Sequence, residues 1–325
     1  MRVLVTGGCG FIGRNLIRRL VADNDWRIRI VDNFSVGRAD DVAAVAGGAI
    51  DRIEIVEGDI GDTALAERTA SGMDAVIHLA ANTGVAPSVR DPRSDCLTNV
   101  IGTLNYLEAC RHAGVTRFVF ASSGAPVGEC QPPLHEELPA HPVSPYGASK
   151  LAGEAYCSAY KRSFGIDAVA LRFGNCYGLY SSHKDSVVAK FIREAIAGEP
   201  WEIYGDGGQT RDFIFADDVA DAIIRAATTP DIGGEVFQIA THRETTVLEL
   251  AHALDGVLQR HGFTPREIRH GSQRVGDVRR NYSDTRKARE RLGWSARVSL
   301  DEGLTRVVEW FLRALPSAGR KYETT

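Results

Sequence analysis

The feature that most constrains the fold is an alternation, through the first half of the chain, between short apolar runs and longer amphipathic segments. Several short runs are nearly continuous in Val, Ile and Leu, which is typical of parallel strands buried on both faces. The expected strands are Arg2–Thr6, Arg27–Val31, Arg52–Val56, Ala75–Leu79, Arg117–Ala121 and Ala168–Arg172. The expected helices include Phe11–Ala22, Cys96–Ala113 and Tyr146–Phe164. This pattern predicts an α/β fold, a doubly wound parallel sheet with right-handed crossovers.

The pattern loosens after about Phe173, where glycine-rich loops separate short strands and isolated helices. Residues Asp212–Ala227 predict a strand end and a helix that return to the main sheet. We expect the sheet domain to span 1–172 plus about 212–244. A smaller C-terminal α/β region that binds the substrate is expected over about 173–211 plus 245–315, with 316–325 as a tail.

Composition excludes several classes of protein. The formal net charge of −4 argues against a general nucleic-acid binder. The six cysteines form no CxxC pair, and no His/Cys cluster suggests a metal site, so we expect reduced thiols and no metal. No apolar run approaches the roughly 18 residues of a membrane span. The chain opens directly on a strand-like MRVLVTG, without a signal peptide, and we expect a cytoplasmic protein without a membrane partner.

A glycine-rich turn follows the first expected strand and leads into the first helix. Its sequence, GGCGFIG, places Gly7, Gly10 and Gly13 where a backbone must turn tightly and approach a pyrophosphate. Asp32 ends the second strand about 20 residues later, where a carboxylate binds the adenosine ribose and repels a 2′-phosphate. Arg38 is the residue type that accepts a 2′-phosphate, but Asp32 favours NAD over NADP. The context therefore predicts a Rossmann site for NAD.

The third strand is followed by Asp59 and Ile60, which lie where an adenine ring is expected. Asp59 is equally suited to cap the next helix. Both interpretations remain open at the level of the sequence.

A second constellation suggests acid–base chemistry. Tyr146 and Lys150 share a helix face at i, i+4 in the run SPYGASK. A nearby ammonium, together with an oxidised nicotinamide, is expected to lower the tyrosine pKa toward neutrality and make the phenol a general base. Ser123 ends the fifth strand and is placed to hydrogen-bond the reacting oxygen or to cap the strand. Asn99 either bridges backbone and water near Lys150 or is a buried structural amide.

Several motifs together resemble the NAD-dependent nucleotide-sugar epimerase/dehydratase family, of the extended short-chain dehydrogenase/reductase type, and most closely its UDP-hexose 4-epimerases. They are TGGCGFIG, HLAA, ASSGAPVGE, SPYGASK, LRFGNCYG and GDGGQTRDFIFADDVA. The resemblance covers Arg2 to about Leu312 and implies 4-epimerisation of a UDP-sugar through a transient 4-keto intermediate. Tyr146 would take the proton of the 4-hydroxyl, Ser123 would orient it, and NAD would take the C4 hydride and return it. It also implies a homodimer that pairs the helices bearing Asn99 and Tyr146.

The resemblance also implies which residues form the binding sites. The expected catalytic residues are Ser123, Tyr146 and Lys150. The expected NAD contacts are Gly7, Gly10, Phe11, Ile12, Gly13, Asp32, Asn33, Asp59, Ile60, Leu79, Ala80, Ala81, Asn99, Tyr146 and Lys150. The expected substrate contacts are Thr83, Ser122, Ser123, Tyr146, Asn175, Val188, Tyr204, Arg211, Arg274 and Asp277. Tyr204 is interpreted as stacking on uracil or as a core aromatic, and Arg211, Arg274 and Asp277 as clamping diphosphate and ribose.

Departures from the family's patterns narrow the reaction. The 4,6-dehydratases place Asp-Glu after the active hydroxyl, whereas this chain has Gly124-Ala125. The UDP-glucuronate decarboxylases carry an acidic residue in the loop after HLAA, which here reads NTGV. His183 and Lys184 either bind a substrate carboxylate, as in a uronic-acid epimerase, or face solvent, and Asn281 lies where the family tunes pocket size.

These departures leave several functions open. They are epimerisation of UDP-glucose/UDP-galactose or of UDP-glucuronate/UDP-galacturonate, decarboxylation of UDP-glucuronate, reduction of a 4-keto-sugar, and, outside enzymes, an NAD sensor.

Overall fold

The computed structural model of the chain describes residues 1–23, 25–272 and 278–315. Its strands, in chain order, are β1 (Arg2–Thr6), β2 (Arg27–Asp32), β3 (Ile53–Glu57), β4 (Ala75–His78), β5 (Arg117–Ser123), β6 (Asp167–Phe173), β7 (Asn175–Tyr177), β8 (Trp201–Tyr204), β9 (Thr210–Arg211), β10 (Phe213–Phe215), β11 (Val236–Ile239), β12 (Thr245–Thr246) and β13 (Ile268–Gly271).

The helices alternate with these strands. They are α1 (Phe11–Val21), α2 (Ala39–Ala46), α3 (Thr63–Ala70), α4 (Val85–Arg90), α5 (Pro92–Cys96), α6 (Gly102–Ala113), α7 (Pro145–Phe164), α8 (Val187–Ala197), α9 (Ala216–Thr228), α10 (Val247–Arg260), α11 (Arg286–Leu292) and α12 (Leu300–Ala314). A 3-10 turn covers Gly47–Arg52, and a wider π-helical turn covers Leu97–Ile101 between α5 and α6.

Within the described residues, seven parallel strands form the central sheet in the order β3-β2-β1-β4-β5-β6-β11. The order reverses direction at β1, so the carboxyl ends of β1 and β4 flank a crevice where α/β sheets bind ligands. The doubly wound Rossmann fold expected from the sequence is confirmed.

One expectation about the second half of the chain is wrong, and one strand was missed. The strand of the Asp212–Ala227 segment, β10, pairs with β7 outside the central sheet, although α9 packs against α1 as expected. A Cβ atom at Gly174 would lie 2.9 Å from the Asp212 carbonyl oxygen, so this close approach separates β7 from the end of β6. The seventh strand of the central sheet is instead β11, which was not among the expected strands.

Three apolar clusters form the core. One packs α1, α9 and α11 against one face of the sheet, and a second packs α3, α6 and α7 against the other. The third lies among α8, α10, α12 and β8, with Trp201 and Phe311 fully buried. Full burial of one large apolar side chain contributes about 1.5–3 kcal/mol. The third cluster supports a separate smaller unit, and the exact domain boundaries stay a prediction.

Across the described ranges, no helix is both long enough and apolar enough to cross a membrane.

Candidate active site

The turn between β1 and α1 is a cradle into which side chains do not fit. Gly7 adopts a φ of +70°, and a Cβ atom there would lie 2.8 Å from the Ala80 backbone nitrogen. A Cβ atom at Gly13 would overlap the carbonyl oxygens of Gly7 and Gly8. Gly10 precedes α1 and has no side chain to cap it, so the first N–H groups of α1 are available to an anion.

Asp32 connects this turn to the end of β2. Its carboxylate accepts hydrogen bonds from the backbone N–H of Cys9 at 2.9 Å and from that of Phe34 at 2.9 Å. The side chain is buried, and Gly7 donates to the carbonyl oxygen of Val31 at 2.8 Å. Asp32 therefore orders the turn itself, besides standing where a ribose hydroxyl is expected.

The next two strand ends carry the other expected dinucleotide contacts. The Asn33 amide donates to the Asp59 carboxylate at 2.9 Å, and Ile60 is buried. Asp62, and not Asp59, caps α3 by accepting from the backbone N–H of Leu65. This geometry leaves Asp59 beside Asn33 at the sheet edge.

The segment after β4, Leu79–Ala81, passes directly over the glycine turn. The Ala80 N–H donates to the Thr6 hydroxyl at 3.2 Å, and that hydroxyl shares a hydrogen bond of 2.9 Å with His78 Nδ1. Burial lowers the pKa of His78 to about 3, with Lys150 adding to the effect, so the imidazole is neutral at physiological pH. His78 and Thr6 thus fix the backbone that closes the cradle.

The catalytic candidates meet where β5 ends and α7 begins. Ser144 caps α7 by accepting from the Gly147 N–H at 3.1 Å, and Pro145 starts the helix, so Tyr146 lies in its first turn. The Ser123 hydroxyl hydrogen-bonds the Tyr146 phenol and accepts from the Ala125 N–H at 2.9 Å. The structure therefore brings Ser123 and Tyr146 into direct contact.

Lys150 lies one turn further along α7 and is buried. Its ammonium donates to the carbonyl oxygen of Ala121 at 2.9 Å and lies 5.9 Å from the centroid of the Tyr146 ring. Burial lowers the pKa of Lys150 to about 8, while Asp95 and Glu154 oppose that shift. The lysine is therefore mostly protonated at neutral pH but close to its titration range.

The protein groups move the pKa of Tyr146 upward. Burial raises it, and the hydrogen bond with Ser123 offsets part of the rise. The lowering expected from the sequence included the positive charge of an oxidised nicotinamide. Because the protein groups alone act in the opposite direction, Tyr146 is protonated at neutral pH until such a charge is present.

Asn99 is buried, and both atoms of its side-chain amide are hydrogen-bonded. Its side chain donates to the Asn82 carbonyl oxygen at 3.0 Å and accepts from the Asn82 N–H at 2.8 Å. The side-chain nitrogen of Asn99 also lies 3.1 Å from Ser149 Oγ and 3.0 Å from Asp95 Oδ1. Asn99 therefore joins the loop after β4, helix α5 and the first turns of α7.

Ser122 lies on the opposite side of β5 from Ser123, because side chains alternate along a strand. Its hydroxyl donates to Glu154 at 2.5 Å, and Glu154 forms a buried ion pair with Arg172 at 2.7 Å. The structure therefore places Ser122 in a network beneath the site and away from Tyr146.

The remaining substrate candidates fall into different surroundings. Thr83 is exposed and lines a cavity of about 320 Å³. Asn175 is exposed at the start of β7, and its N–H donates to the Asp212 carbonyl oxygen at 2.7 Å. Val188 is 2% exposed and belongs to the third core cluster.

Two of the expected nucleotide contacts, Tyr204 and Arg211, lie within the described residues of the smaller unit. Tyr204 is half-buried at the end of β8, with the Lys190 ammonium 5.5 Å from its ring centroid. The Arg211 guanidinium donates to the carbonyl oxygens of Thr210 at 2.6 Å and Val278 at 2.8 Å. Arg274 and Asp277 lie outside the described residues.

The loop between β7 and α8 lies against the start of α1. The Lys184 ammonium is 5.2 Å from the centroid of the Phe11 ring. The Arg14 guanidinium donates to the Tyr180 carbonyl oxygen at 2.9 Å. Burial lowers the pKa of His183, and the charges of Arg14 and Lys184 lower it further. Lys184 thus stands on the dinucleotide side of the site.

The two residues that follow β5, Gly124 and Ala125, are small and leave space around them. A Cβ atom at Gly124 would lie 3.4 Å from Leu134 and 3.8 Å from the side-chain amide of Asn281. Gly124 and Ala125 offer no acid or base beside Tyr146, whereas Asn281 faces this position.

Sequence reasoning missed Asp95, Glu154 and Arg172. Glu154 follows Lys150 by four residues on α7, so the sequence spacing could have predicted that it lies on the same helix face as Tyr146 and Lys150. Asp95 precedes Asn99 by four residues, but the π-helical turn between them obscures the helical spacing. Arg172 ends a strand in which a buried charge is not expected from pattern alone.

The chain resembles known enzymes over almost its whole length. A model of the NAD dependent epimerase/dehydratase family matches residues 3–240. A UDP-glucose 4-epimerase of Mycolicibacterium smegmatis is 40% identical, over 96% of this chain and 98% of that protein.

Solved structures agree with this similarity. A UDP-glucose 4-epimerase of Thermotoga maritima with UDP-glucose has a TM-score of 0.88 and 37% identity, over 97% of this chain and 99% of that one. The Thermus thermophilus UDP-glucose 4-epimerase complex with NAD has a TM-score of 0.86 and 34% identity, over 97% of this chain and 100% of that one.

The turn formed by Gly7, Gly13 and Asp32 fits a dinucleotide, because its backbone is packed too closely for side chains and the first N–H groups of α1 are open to a pyrophosphate. NAD is therefore the cofactor of this site. The similarity to UDP-glucose 4-epimerases identifies the protein as an enzyme, an isomerase that epimerises a nucleotide sugar. The chain belongs to the NAD-dependent epimerase/dehydratase family.

Proposed function

We propose that the protein interconverts UDP-glucose and UDP-galactose by inverting C4 through a 4-keto intermediate. The observation that carries this proposal is the contact between Ser123 and Tyr146 above the buried Lys150, followed directly by Gly124 and Ala125. This arrangement holds one proton-transfer group and no second acid for elimination of water. The relatives named UDP-glucose 4-epimerase, at 40% and 37% identity, support this choice of sugar.

The chain's own groups handle one proton. With the sugar 4-hydroxyl beside Ser123 and Tyr146, the ionised phenol accepts the hydroxyl proton as C4 becomes a carbonyl. NAD held at the glycine turn would supply the redox chemistry at C4, as hydride acceptor and then as hydride donor. Tyr146 then gives the same proton back to the C4 oxygen. No atom is gained or lost over the cycle, so neither a co-substrate nor net reduction is needed.

Lys150 sets the charge of this centre. Its ammonium is held by the Ala121 carbonyl oxygen at 2.9 Å and cannot turn away from the Tyr146 ring. A fixed positive charge stabilises a phenolate as it forms, and its effect is strong because the site is shielded from water. We assign Lys150 the role of stabilising ionised Tyr146.

The smaller unit is assigned to the UDP group. Asn175 is exposed, and we assign it to the diphosphate, with Arg211, Arg274 and Asp277 as the charged groups for diphosphate and ribose. An arginine suits a diphosphate because its planar guanidinium donates two parallel hydrogen bonds. Tyr204 is half-exposed beside Lys190, which suits a ring that stacks on uracil.

The other reactions considered from the sequence fit the geometry less well. Dehydration needs an acid and a base where Gly124 and Ala125 stand. Binding of a uronate carboxylate by Lys184 is disfavoured because its ammonium lies over Phe11, at the start of the cofactor helix. A 4-keto-sugar reductase would release its oxidised dinucleotide in each turnover, and the relatives named UDP-glucose 4-epimerase favour the reaction without net reduction.

We also propose a homodimer formed by the helices near Asn99 and Tyr146. Val85, Val89, Leu97 and Ile101 are between 40% and 61% exposed, and each pair is spaced i, i+4. An apolar stripe of this kind favours a buried helix–helix contact. Light scattering should give twice the chain mass, and Leu97→Glu should give the monomer mass. Val36→Glu, at an equally exposed apolar residue elsewhere, should remain dimeric, and a monomeric parent would contradict the proposal.

The decisive experiment is an incubation of purified protein with UDP-glucose, without added reductant, followed by proton NMR of the anomeric and C4 protons. We expect UDP-galactose to appear while the absorbance of reduced dinucleotide stays at its starting level. A parallel incubation with UDP-glucuronate is expected to show no change.

Each alternative has its own signature in these two incubations. Formation of UDP-galacturonate would show that the substrate is a UDP-uronic acid. Formation of a UDP-pentose would establish decarboxylation. A 4-keto-6-deoxy product from UDP-glucose would establish dehydration. Absence of any product, with NAD bound, would contradict the proposal and favour a reductase or a sensor.

A further inference from the structure

Asp95 is a buried acid for which the mechanism above has no use. It lies on the short helix α5 and is 3% exposed. One carboxylate oxygen, Oδ1, accepts from the Asn99 amide at 3.0 Å. The other, Oδ2, is buried and has no hydrogen-bond partner among the residues that the structure describes. A buried carboxylate costs several kcal/mol unless a nearby positive charge compensates it.

Lys150 is the buried cation whose charge interacts with that of Asp95. The titratable groups facing Lys150 are Tyr146 and Glu154 on its own helix α7, His78 on β4, and Asp95 on α5. His78 is neutral, with its pKa lowered to about 3 by burial and by Lys150. Two carboxylates therefore remain to balance one ammonium.

Glu154 is already occupied by a closer cation. Arg172 donates to both of its carboxylate oxygens, at 2.8 Å and 2.7 Å, and Ser122 adds a third hydrogen bond. Its charge is thus largely neutralised by Arg172 before it acts on Lys150. Asp95 forms no ion pair with an arginine in the described residues. Its negative charge is therefore less neutralised than that of Glu154 and acts more strongly on Lys150.

Asp95 also contacts the scaffold that fixes the catalytic helix. The amide it holds, Asn99, lies 3.1 Å from Ser149 Oγ, and Ser149 donates to the Tyr146 carbonyl oxygen at 3.0 Å. The side-chain amide of Asn99 also forms two hydrogen bonds with the backbone of Asn82, one through its oxygen and one through its nitrogen. A single side chain on α5 therefore touches the hydrogen-bond chain that leads to the backbone of Tyr146.

We propose that Asp95 is a positioning residue for epimerisation, whose carboxylate keeps Lys150 protonated and whose bond to Asn99 orients the start of α7. This inference rests on the proposed function, because it assigns Asp95 a part in the same proton transfer. It adds a residue that acts through Lys150 and Asn99.

The electrostatics give the proposal a directional signature. Asp95 opposes the burial that lowers the pKa of Lys150, and it adds to the burial that raises the pKa of Tyr146. Removing its charge therefore lowers both pKa values. In a bell-shaped pH profile of kcat, the acid limb reports ionisation of Tyr146 and the alkaline limb reports loss of the Lys150 proton. Both limbs should move to lower pH.

The test is Asp95→Asn, which keeps the size of the side chain and removes its charge. We expect both limbs to shift down by about one pH unit, so kcat at the alkaline limb falls about tenfold while kcat near the acid limb is retained or increased. Asp95→Glu should keep the limbs close to those of the parent. Asp91→Asn is the matched control, because Asp91 caps the same helix through the Ser94 N–H and touches neither catalytic residue.

A second readout does not depend on turnover. The chain has six lysines, so Lys150 can be assigned in [ε-13C]lysine NMR spectra by its loss in Lys150→Met. Its titration midpoint should fall by about one pH unit in Asp95→Asn and stay unchanged in Asp91→Asn. Failure of the parent to epimerise UDP-sugars would remove the proposed function, whereas this titration would still show whether Asp95 acts on Lys150.

Three outcomes overturn the proposal. One is a uniform loss of kcat with both limbs in place, which is the result of a structural role. Another is an Asp95→Asn profile and a Lys150 midpoint identical to those of the parent. The third is failure of both Asp95→Asn and Asp95→Ser to fold, which would make the acid a requirement of the fold and not of the reaction.

Discussion

The two halves of the site are built differently. On the cofactor side, the glycine turn is held by the buried carboxylate of Asp32 and by backbone contacts that leave no room for added atoms. On the side that we assign to the substrate, the two-residue strands β9 and β12 pair with each other, and outer ion pairs such as Asp206–Arg279 are more than half exposed.

This difference has a physical meaning. Buried hydrogen bonds in a packed turn open rarely, whereas short ladders with exposed ion pairs open at low cost in free energy. We therefore expect the cofactor half to hold NAD from turnover to turnover and the substrate half to adjust as sugars enter, rotate and leave. The predictions below test this contrast in order of decreasing effect.

The largest effect is expected from Tyr146→Phe, which removes the proton-transfer group between the two halves. We expect kcat to fall by about 10²- to 10⁴-fold, because a positioned general base contributes that much. NAD content, measured by releasing the nucleotide from denatured protein, should match that of the parent, because the cradle at Gly7 and Asp32 does not use the phenol. Loss of NAD in this variant would show that the halves are not independent.

Gly13→Ala should break the cofactor half itself. The added methyl group would overlap the carbonyl oxygens of Gly7 and Gly8, and such overpacking costs about 1–3 kcal/mol. We expect NAD affinity, measured by calorimetry on stripped protein, to fall by about tenfold or more.

Gly256→Ala is the matched control for this change. Gly256 lies in helix α10, and a Cβ atom there meets no heavy atom within 4 Å. This variant should bind NAD normally and be more stable by about 0.5–1 kcal/mol. Equal NAD affinity in both glycine variants would refute the role of the tight turn.

The network under the catalytic strand should respond in stability. Glu154→Gln leaves Arg172 buried without a charged partner, and breaking a buried pair in this way costs about 3–5 kcal/mol. The free energy of unfolding in urea measures this loss. Glu302→Gln, at an exposed i, i+4 pair with Arg306, should change it by less than about 0.5 kcal/mol. Similar losses in the two variants would contradict the assigned difference in burial.

The smallest effect is expected at the rim of the substrate half. Arg279 holds the pKa of Asp206 well below its usual range, but both side chains are exposed. Asp206→Asn should raise KM for the UDP-sugar by less than about threefold, and the difference should shrink as salt is added. A larger, salt-independent change would mean that the substrate half is as rigid as the cofactor half.

Much of the cofactor half could be predicted from the sequence, because its strands, turn and helices depend on residues that are close together in the chain. Runs of Val, Ile and Leu located β1 to β6 within one or two residues of their bounds. The glycine spacing and Asp32 predict a dinucleotide-binding turn, because this turn has the same geometry in many proteins. Tyr146 and Lys150 were found together because a helix places residues four apart on one face.

The parts that were missed depend on contacts between distant segments. The strand β11 is short and becomes recognisable through its pairing with β6. β10 pairs with β7 outside the central sheet, a pairing between segments about 40 residues apart that no periodicity encodes. Val188 resembled a pocket residue in sequence and lies in the core of the smaller unit.

The thiol inside the glycine turn has a consequence for the chemical durability of the enzyme. Cys9 is buried, and burial together with the neighbouring Asp32 carboxylate raises its pKa to about 12. Oxidants and alkylating reagents attack thiolates, so this position is protected although it lies in the cofactor cradle. The exposed Cys96, at the edge of the apolar stripe, should react first. A fluorophore placed there would report on subunit association while the dinucleotide site stays intact.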